Sequence, residues 1–278
     1  MIIINKLSFG YHAKKLLYKN LDLTLSKGKI YGILGKNGAG KSTLLKNMSG
    51  LLFPSSGSIT VNGFIPQKRE PSFLENIYFI PEEVEVSPLT VIGYLNLFAP
   101  FYPEFNRNLF YAYLRDLEIK DHGKLSDLSL GQQKKFIIAF ALACNTKLLV
   151  LDEPTNGLDI PSKSWFRKLI ASVLSEERII IISTHQVKDL ETLIDHVIVV
   201  DNGELILNNS MAEISKKLCF KTIHKMDERN PVLYSEESLN GYTVVTENTN
   251  DEDTKVNLEH LFNTITQQPV LVKAIFKH

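Results

Sequence analysis

The chain has 278 residues, 44% of them hydrophobic and 22% charged, a globular composition with length for one large domain or one domain plus an appendage. Lys and Arg together number 31 and so do Asp and Glu, so the formal net charge is zero and the basic field expected of a nucleic-acid binder is missing. Its two cysteines, Cys144 and Cys219, make no short metal-ligand spacing and fit a reducing compartment. The apolar run at the N-terminus is too short for a signal peptide. The longest apolar stretch, residues 136–144, falls well short of the roughly 20 needed to cross a bilayer. Any membrane role is therefore expected to pass through a partner.

Residues 2–9 and 21–25 carry β-type patterns, and residues 30–34 read as a buried strand running into a glycine-rich turn. A helix is expected from Ser42 to Gly50, with Leu44, Leu45 and Met48 on one face. Residues 58–61, before Asn62-Gly63, and 76–80, before Pro81, read as strands. From Leu89 to Asn145 the pattern is mostly helical, broken at Pro100 and Pro103. Two near-continuous apolar strands follow at 148–151 and 179–182, separated by a helix at 165–174, the rhythm of a parallel sheet. Strands at 197–200 and 204–207 flank Asp201-Asn202-Gly203. Beyond Asn208 the chain is more polar, with an acidic patch at residues 251–253 and an amphipathic helix at 257–264.

The strongest local signal is Gly35-Lys36-Asn37-Gly38-Ala39-Gly40-Lys41-Ser42, the phosphate-binding pattern of Gly, four residues, Gly-Lys-Ser/Thr. Glycines let successive backbone N–H groups turn inward around phosphate oxygens, and a helix starting near Lys41 adds its positive end. Lys41 then reaches the β- and γ-phosphates and Ser42 ligates Mg²⁺. Residues 148–151 run into Asp152-Glu153. Two loop carboxylates alone are commonplace. Beside a phosphate loop, Asp152 becomes the candidate Mg²⁺ ligand and Glu153 the candidate general base.

Together these motifs resemble ATP-binding cassette (ABC) proteins over residues 1 to about 208. Leu128-Ser129-Leu130-Gly131-Gln132 is similar to the family signature, usually Leu-Ser-Gly-Gly-Gln, which faces the γ-phosphate bound to the opposite monomer. Residues 154–159, ending in Asp159, resemble the loop after the catalytic Glu. Ser183-Thr184-His185 resembles the strand end carrying a switch histidine, and Tyr11 stands where the family stacks an aromatic on adenine. Structural readings stand beside these: Ser129 with Gln132 forms a helix capping box, Asp159 caps the next helix, His185 is a satisfied structural histidine, and Tyr11 packs on the sheet. Two positions depart from the family pattern. Leu130 replaces a glycine, and Glu82 stands where a glutamine would contact Mg²⁺ or water.

The resemblance implies an α/β P-loop NTPase core, with an N-terminal antiparallel β-subdomain, an inserted helical subdomain at about 88–145 and a small appendage at 209–278. It implies ATP and Mg²⁺ as cofactors. The expected nucleotide-binding residues are Tyr11, Gly35, Asn37, Gly38, Ala39, Gly40, Lys41, Ser42, Thr43, Ser129, Gly131, Gln132 and Asp159. Ser42, Glu82 and Asp152 are the expected metal ligands, and Glu153 and His185 the catalytic pair. It also implies an ATPase that dimerises with itself or a sister cassette beneath a separately encoded transmembrane permease, peripheral on the cytoplasmic face, with export favoured and no nucleic acid. Residues 83–105, with Tyr94, Phe98, Phe101 and Tyr102, are either its docking surface or helical core. The alternative class is a soluble cassette that remodels a ribosome or nucleic-acid complex.

Overall fold

The computed structural model describes residues 1–12, 15–121, 123–226, 231–239 and 241–276. In chain order the elements are β1 (Ile2–Phe9), β2 (Tyr18–Leu25), β3 (Lys29–Leu34), α1 (Lys41–Met48), β4 (Ser56–Val61), α2 (Pro71–Leu74), β5 (Ile77–Ile80), α3 (Val91–Phe98), α4 (Arg107–Asp116), α5 (Leu130–Ala143), β6 (Leu148–Asp152), α6 (Ile160–Ser172) and β7 (Ile179–Thr184). They continue with β8 (His196–Asp201), β9 (Glu204–Ser210), α7 (Met211–Lys217), β10 (Leu218–Ile223), β11 (Tyr234–Ser238), β12 (Gly241–Glu247), α8 (Leu258–Gln267) and α9 (Pro269–Phe276). The chain divides into two compact units, residues 1–30 with 42–184, and residues 31–41 with 185–278.

The first unit holds two sheets. In the antiparallel one, β1 lies between β2 and β4. Its strands alternate buried and exposed positions, as in Tyr18, Leu21, Leu23 and Leu25 of β2, because one face packs on the core and the other meets water. Asn62 and Gly63, both at positive φ, turn the chain after β4. In the parallel ladder β5-β6-β7, every residue of β6 and β7 is buried. Their unbroken Leu, Val and Ile runs therefore belong to strands covered on both faces.

Helix starts follow side-chain chemistry. Thr90 accepts from the Gly93 amide ahead of α3, and Asn106 from the Leu109 amide ahead of α4. Each satisfies an amide that the first turn leaves unpaired. The segment expected to be mostly helical thus resolves into α3, α4 and α5, which share an aromatic core. Phe140, fully buried, meets the rings of Tyr78, Tyr94, Tyr102, Phe105 and Phe110 at centroid distances of 5.0–6.2 Å, mostly edge to face. Burial raises the phenol pKa of Tyr78, Tyr94 and Tyr102 and the thiol pKa of Cys144 beside them, so all four stay neutral. Phe140→Ala is expected to destabilise the protein by about 3–5 kcal/mol, read from urea unfolding monitored by circular dichroism. An unchanged midpoint would contradict this packing.

In the second unit β3 pairs in parallel with β8, and β8 runs antiparallel to β9. The expected turn Asp201-Asn202-Gly203 joins them, with Asn202 at φ +47° and Gly203 at +76°, the geometry a two-residue hairpin loop requires. Further on, β12 lies between β10 and β11 in an antiparallel sheet. Helix α8 packs on it through Leu258, Leu261 and Ile265, and Asn257 caps that helix. The helix expected at 257–264 is present, starting one residue later and running three residues further to Gln267, whereas β10, β11, β12, α7 and α9 had no counterpart in the sequence reading. Among the described residues no helix is long and apolar enough to cross a membrane.

Candidate functional site

Between β3 and α1 the glycine loop forms a tight turn. Gly38 and Gly40 have φ of +81° and +113°, and the Ala39 amide donates to the Lys36 carbonyl at 3.1 Å. A side chain at Gly35 would place its Cβ 2.5 Å from the Val200 carbonyl oxygen, so only glycine fits there. Lys41 Nζ donates to the carbonyls of Gly35 at 2.8 Å and Lys36 at 3.3 Å, closing the loop with a buried ammonium. Lys36, Asn37 and Gly38 are exposed, and Ser42 is half-buried in the first turn of α1. This is an anion cradle at a helix start with a cation beside it.

In the first unit, β6 ends with Asp152 and Glu153, both buried. Ser183 at the end of β7 donates from Oγ to Asp152 Oδ1, and its Oγ and main-chain carbonyl accept from the Glu153 amide at 3.1 and 3.2 Å. Glu153 itself has φ +47°, a left-handed conformation that bulky L-residues adopt only where their surroundings impose it. Glu82, exposed in the loop after β5, accepts at Oε1 from Asn156 Nδ2 at 3.0 Å. Among the described residues no three His, Cys, Asp or Glu side chains cluster as a ready metal cage. The side chains expected from the sequence to hold a metal, Ser42, Asp152 and Glu82, offer hard oxygens, the donor type that suits Mg²⁺.

The signature segment opens α5. Ser129 Oγ accepts from the Gln132 amide at 3.3 Å and Gln132 Oε1 accepts from the Ser129 amide at 3.0 Å, the capping box read from sequence. Leu130 is 79% exposed, and a Cβ at Gly131 would lie 3.6 Å from the Gly157 carbonyl oxygen. The signature therefore sits against the turn that follows Glu153. Asp159 caps α6, its Oδ1 accepting from the Ser162 amide at 2.8 Å, and the hydrogen bonds from Ser162 hold its carboxyl below the usual range.

Tyr11 is exposed, packs edge to face on Phe9, and shares a 2.9 Å hydrogen bond with Thr43 Oγ1. His185, exposed, directly follows β7. Within the first unit the structure brings together Glu82, Asp152, Glu153, Gly131 and their turns. The proposed docking aromatics divide: Tyr94 is buried and Tyr102 half-buried in the aromatic core, while Phe101 is exposed, as are Ile92 and Leu97. Tyr94 faces α5 through Phe136, Ile92 two positions away points to another side of α3, and Phe101 and Tyr102 lie beyond the end of that helix at Phe98.

One residue at the site escaped the sequence reading. Lys134, a turn into α5, is buried with its ammonium donating to the carbonyls of Glu153 at 2.9 Å, Asn156 at 3.0 Å and Glu82 at 3.3 Å. Its sequence carried no distinguishing signal, because Lys134 stands beside Gln132, Gln133 and Lys135 in the polar first half of α5.

The family model described as ABC transporter matches residues 18–156. The chain is 33% identical over 225 residues to the ABC transporter ATP-binding protein NatA of Bacillus subtilis, an alignment covering 77% of this chain and 91% of NatA. It is 30% identical over 273 residues to the uncharacterized ABC transporter ATP-binding protein YdbJ of the same organism, covering 94% of this chain and 86% of YdbJ. Among solved structures, cbiO1 from Clostridium perfringens, part of the ABC transporter complex cbiONQ, matches with a TM-score of 0.63 at 28% identity, over 77% of this chain and 89% of that one. Because the family match runs through both the glycine loop and the carboxylate-tipped strand, the chain belongs to the ABC transporter family as one of its ATP-binding, ATP-hydrolysing proteins.

Proposed function

We propose that this chain is the energy-coupling subunit of an exporter, working from the cytoplasmic face as a head-to-tail dimer, with itself or a sister cassette, beneath a separately encoded permease. In this reading residues 1–208 are the ATPase domain and 209–278 an appendage to it. Tyr11 stacks on adenine; Gly35, Asn37, Gly38, Ala39, Gly40, Lys41, Ser42 and Thr43 wrap the phosphates; Lys41 takes the β- and γ-oxygens. Ser42, Asp152 and Glu82 hold Mg²⁺, which when bound neutralises charge that develops on the phosphates. Glu153 accepts the proton of the attacking water, and His185 contacts the γ-phosphate. Ser129, Gly131, Gln132 and Asp159 face the nucleotide held by the partner copy.

The observation that carries the reading is Glu153, buried beside Asp152 with its amide held by Ser183, the arrangement of a base poised next to a metal ligand. The absence of a membrane-crossing helix among the described residues and the exposed apolar side chains Ile92, Leu97 and Phe101 support a separate membrane partner. The test is to tag the Glu153→Gln variant, solubilise cells in mild detergent with ATP and Mg²⁺, and identify what copurifies by mass spectrometry. A polytopic membrane protein at about equal stoichiometry is the expected result. Ribosomal or nucleoprotein partners without a membrane protein would overturn it in favour of a soluble remodeller.

A further inference from the structure

The turns after two strands of the first unit's site, β5 and β6, converge on one side chain that the proposed chemistry does not use. Lys134 is 6% exposed, and its ammonium has three hydrogens. They meet three main-chain carbonyls, those of Glu82 after β5 and of Glu153 and Asn156 after β6. A side-chain ammonium spent wholly on backbone oxygens makes no ion pair of its own. Its role is to fix where those three peptides lie.

The peptide that most needs fixing is that of Glu153. Its φ of +47° is unfavourable for a residue with a long side chain and persists only where neighbours over-determine it. On the amino side the Glu153 amide is held by Ser183, and on the carboxyl side the Glu153 carbonyl is held by Lys134. The two anchors bracket the Cα and so set the direction in which the carboxylate leaves the main chain. Burial pulls the Lys134 pKa down, while the carboxylates of Glu82, Glu153 and Asp152 oppose that shift.

We infer that Lys134 is a positioning residue for ATP hydrolysis: its ammonium tripod locks the left-handed turn at Glu153, ties it to the Glu82 loop, and thereby aims the general base. The inference rests on the reading of Glu153 as that base. The three hydrogen bonds of Lys134 all go to the turns carrying Glu82 and Glu153, so the expected signature is a loss in kcat without a loss in nucleotide affinity.

The test uses the full chain, with steady-state and single-turnover ATP hydrolysis measured for Lys134→Met and Lys134→Gln, each alone and combined with Glu153→Gln. Lys134→Met is expected to lower kcat about 100-fold, the scale of a misplacement of roughly 1 Å, and to change KM for ATP by less than about twofold. Lys134→Gln, which keeps donors at similar reach, is expected to recover about tenfold of that loss and carries the comparison if Lys134→Met does not fold. In the Glu153→Gln background, adding Lys134→Met is expected to change the single-turnover rate little, because the group being aimed is already gone. Unchanged kcat in Lys134→Met, a rise in KM at constant kcat, or the same fold-loss in both backgrounds would overturn the proposal. If Glu153→Gln is inactive and Lys134→Met fully active, only the role of Lys134 fails. If Glu153→Gln itself turns over normally, the base assignment fails, and the inference with it.

Discussion

Glu153→Gln is expected to bind ATP with near-normal affinity, lose about 10²–10⁴-fold in turnover, and accumulate as an ATP-dependent dimer visible by size-exclusion chromatography. Gln keeps the length and shape of Glu, so the turn held by Ser183 and Lys134 is retained while the capacity to accept a proton is removed. The phosphate loop is untouched, so binding and hydrolysis separate. Dimer accumulation follows if ATP holds two copies together and its hydrolysis releases them, since a ligand favours whichever state it binds more tightly. Wild-type turnover in this variant would move the base elsewhere, and stalled turnover without a dimer would argue against the head-to-tail arrangement.

Lys41→Ala should have a comparably large effect at an earlier step. Removing a buried cation from hydrogen-bonded charge partners costs about 2–5 kcal/mol, and each 1.4 kcal/mol is tenfold in affinity. ATP affinity is therefore expected to fall by at least about 30-fold in equilibrium titration with a fluorescent ATP analogue. Lys41 also closes the loop on the carbonyls of Gly35 and Lys36, so its loss relaxes the cradle as well as removing charge. Normal affinity in this variant would undercut the assignment of the glycine loop to phosphate.

What could be read in advance follows from the range of the interactions involved. The glycine loop is local: Gly35, Gly38 and Gly40 are demanded by the loop's own dihedrals and by one close approach, and a short window of sequence carries that information. The caps at Ser129 and Asp159 are local too, each spanning three residues. Strands β6 and β7 were legible because burial on both faces leaves nearly uninterrupted Leu, Val and Ile. Lys134 was not, because its partners lie 19, 22 and 52 residues away and only tertiary packing brings them to its ammonium. The same holds for Tyr94, whose aromatic character fits a docking face or a core equally until α5 is placed beside it. Strands β10, β11 and β12 escaped for another reason. A strand such as β11, Tyr234–Ser238, buries only its first residue and shows no alternation by which to find it.

The left-handed backbone at position 153 also limits what inheritance can do there. Asn, Asp and Gly enter that region of dihedral space most readily, whereas β-branched Val, Ile and Thr are genuine outliers in it. Drift at this position thus runs through a short alphabet of shapes, most of which keep the turn intact while shortening or removing the carboxylate. On the proposed reading of Glu153 as the base, a lineage descending from this chain would lose hydrolysis without losing its fold, leaving a cassette that still binds nucleotide but has become a sensor of it.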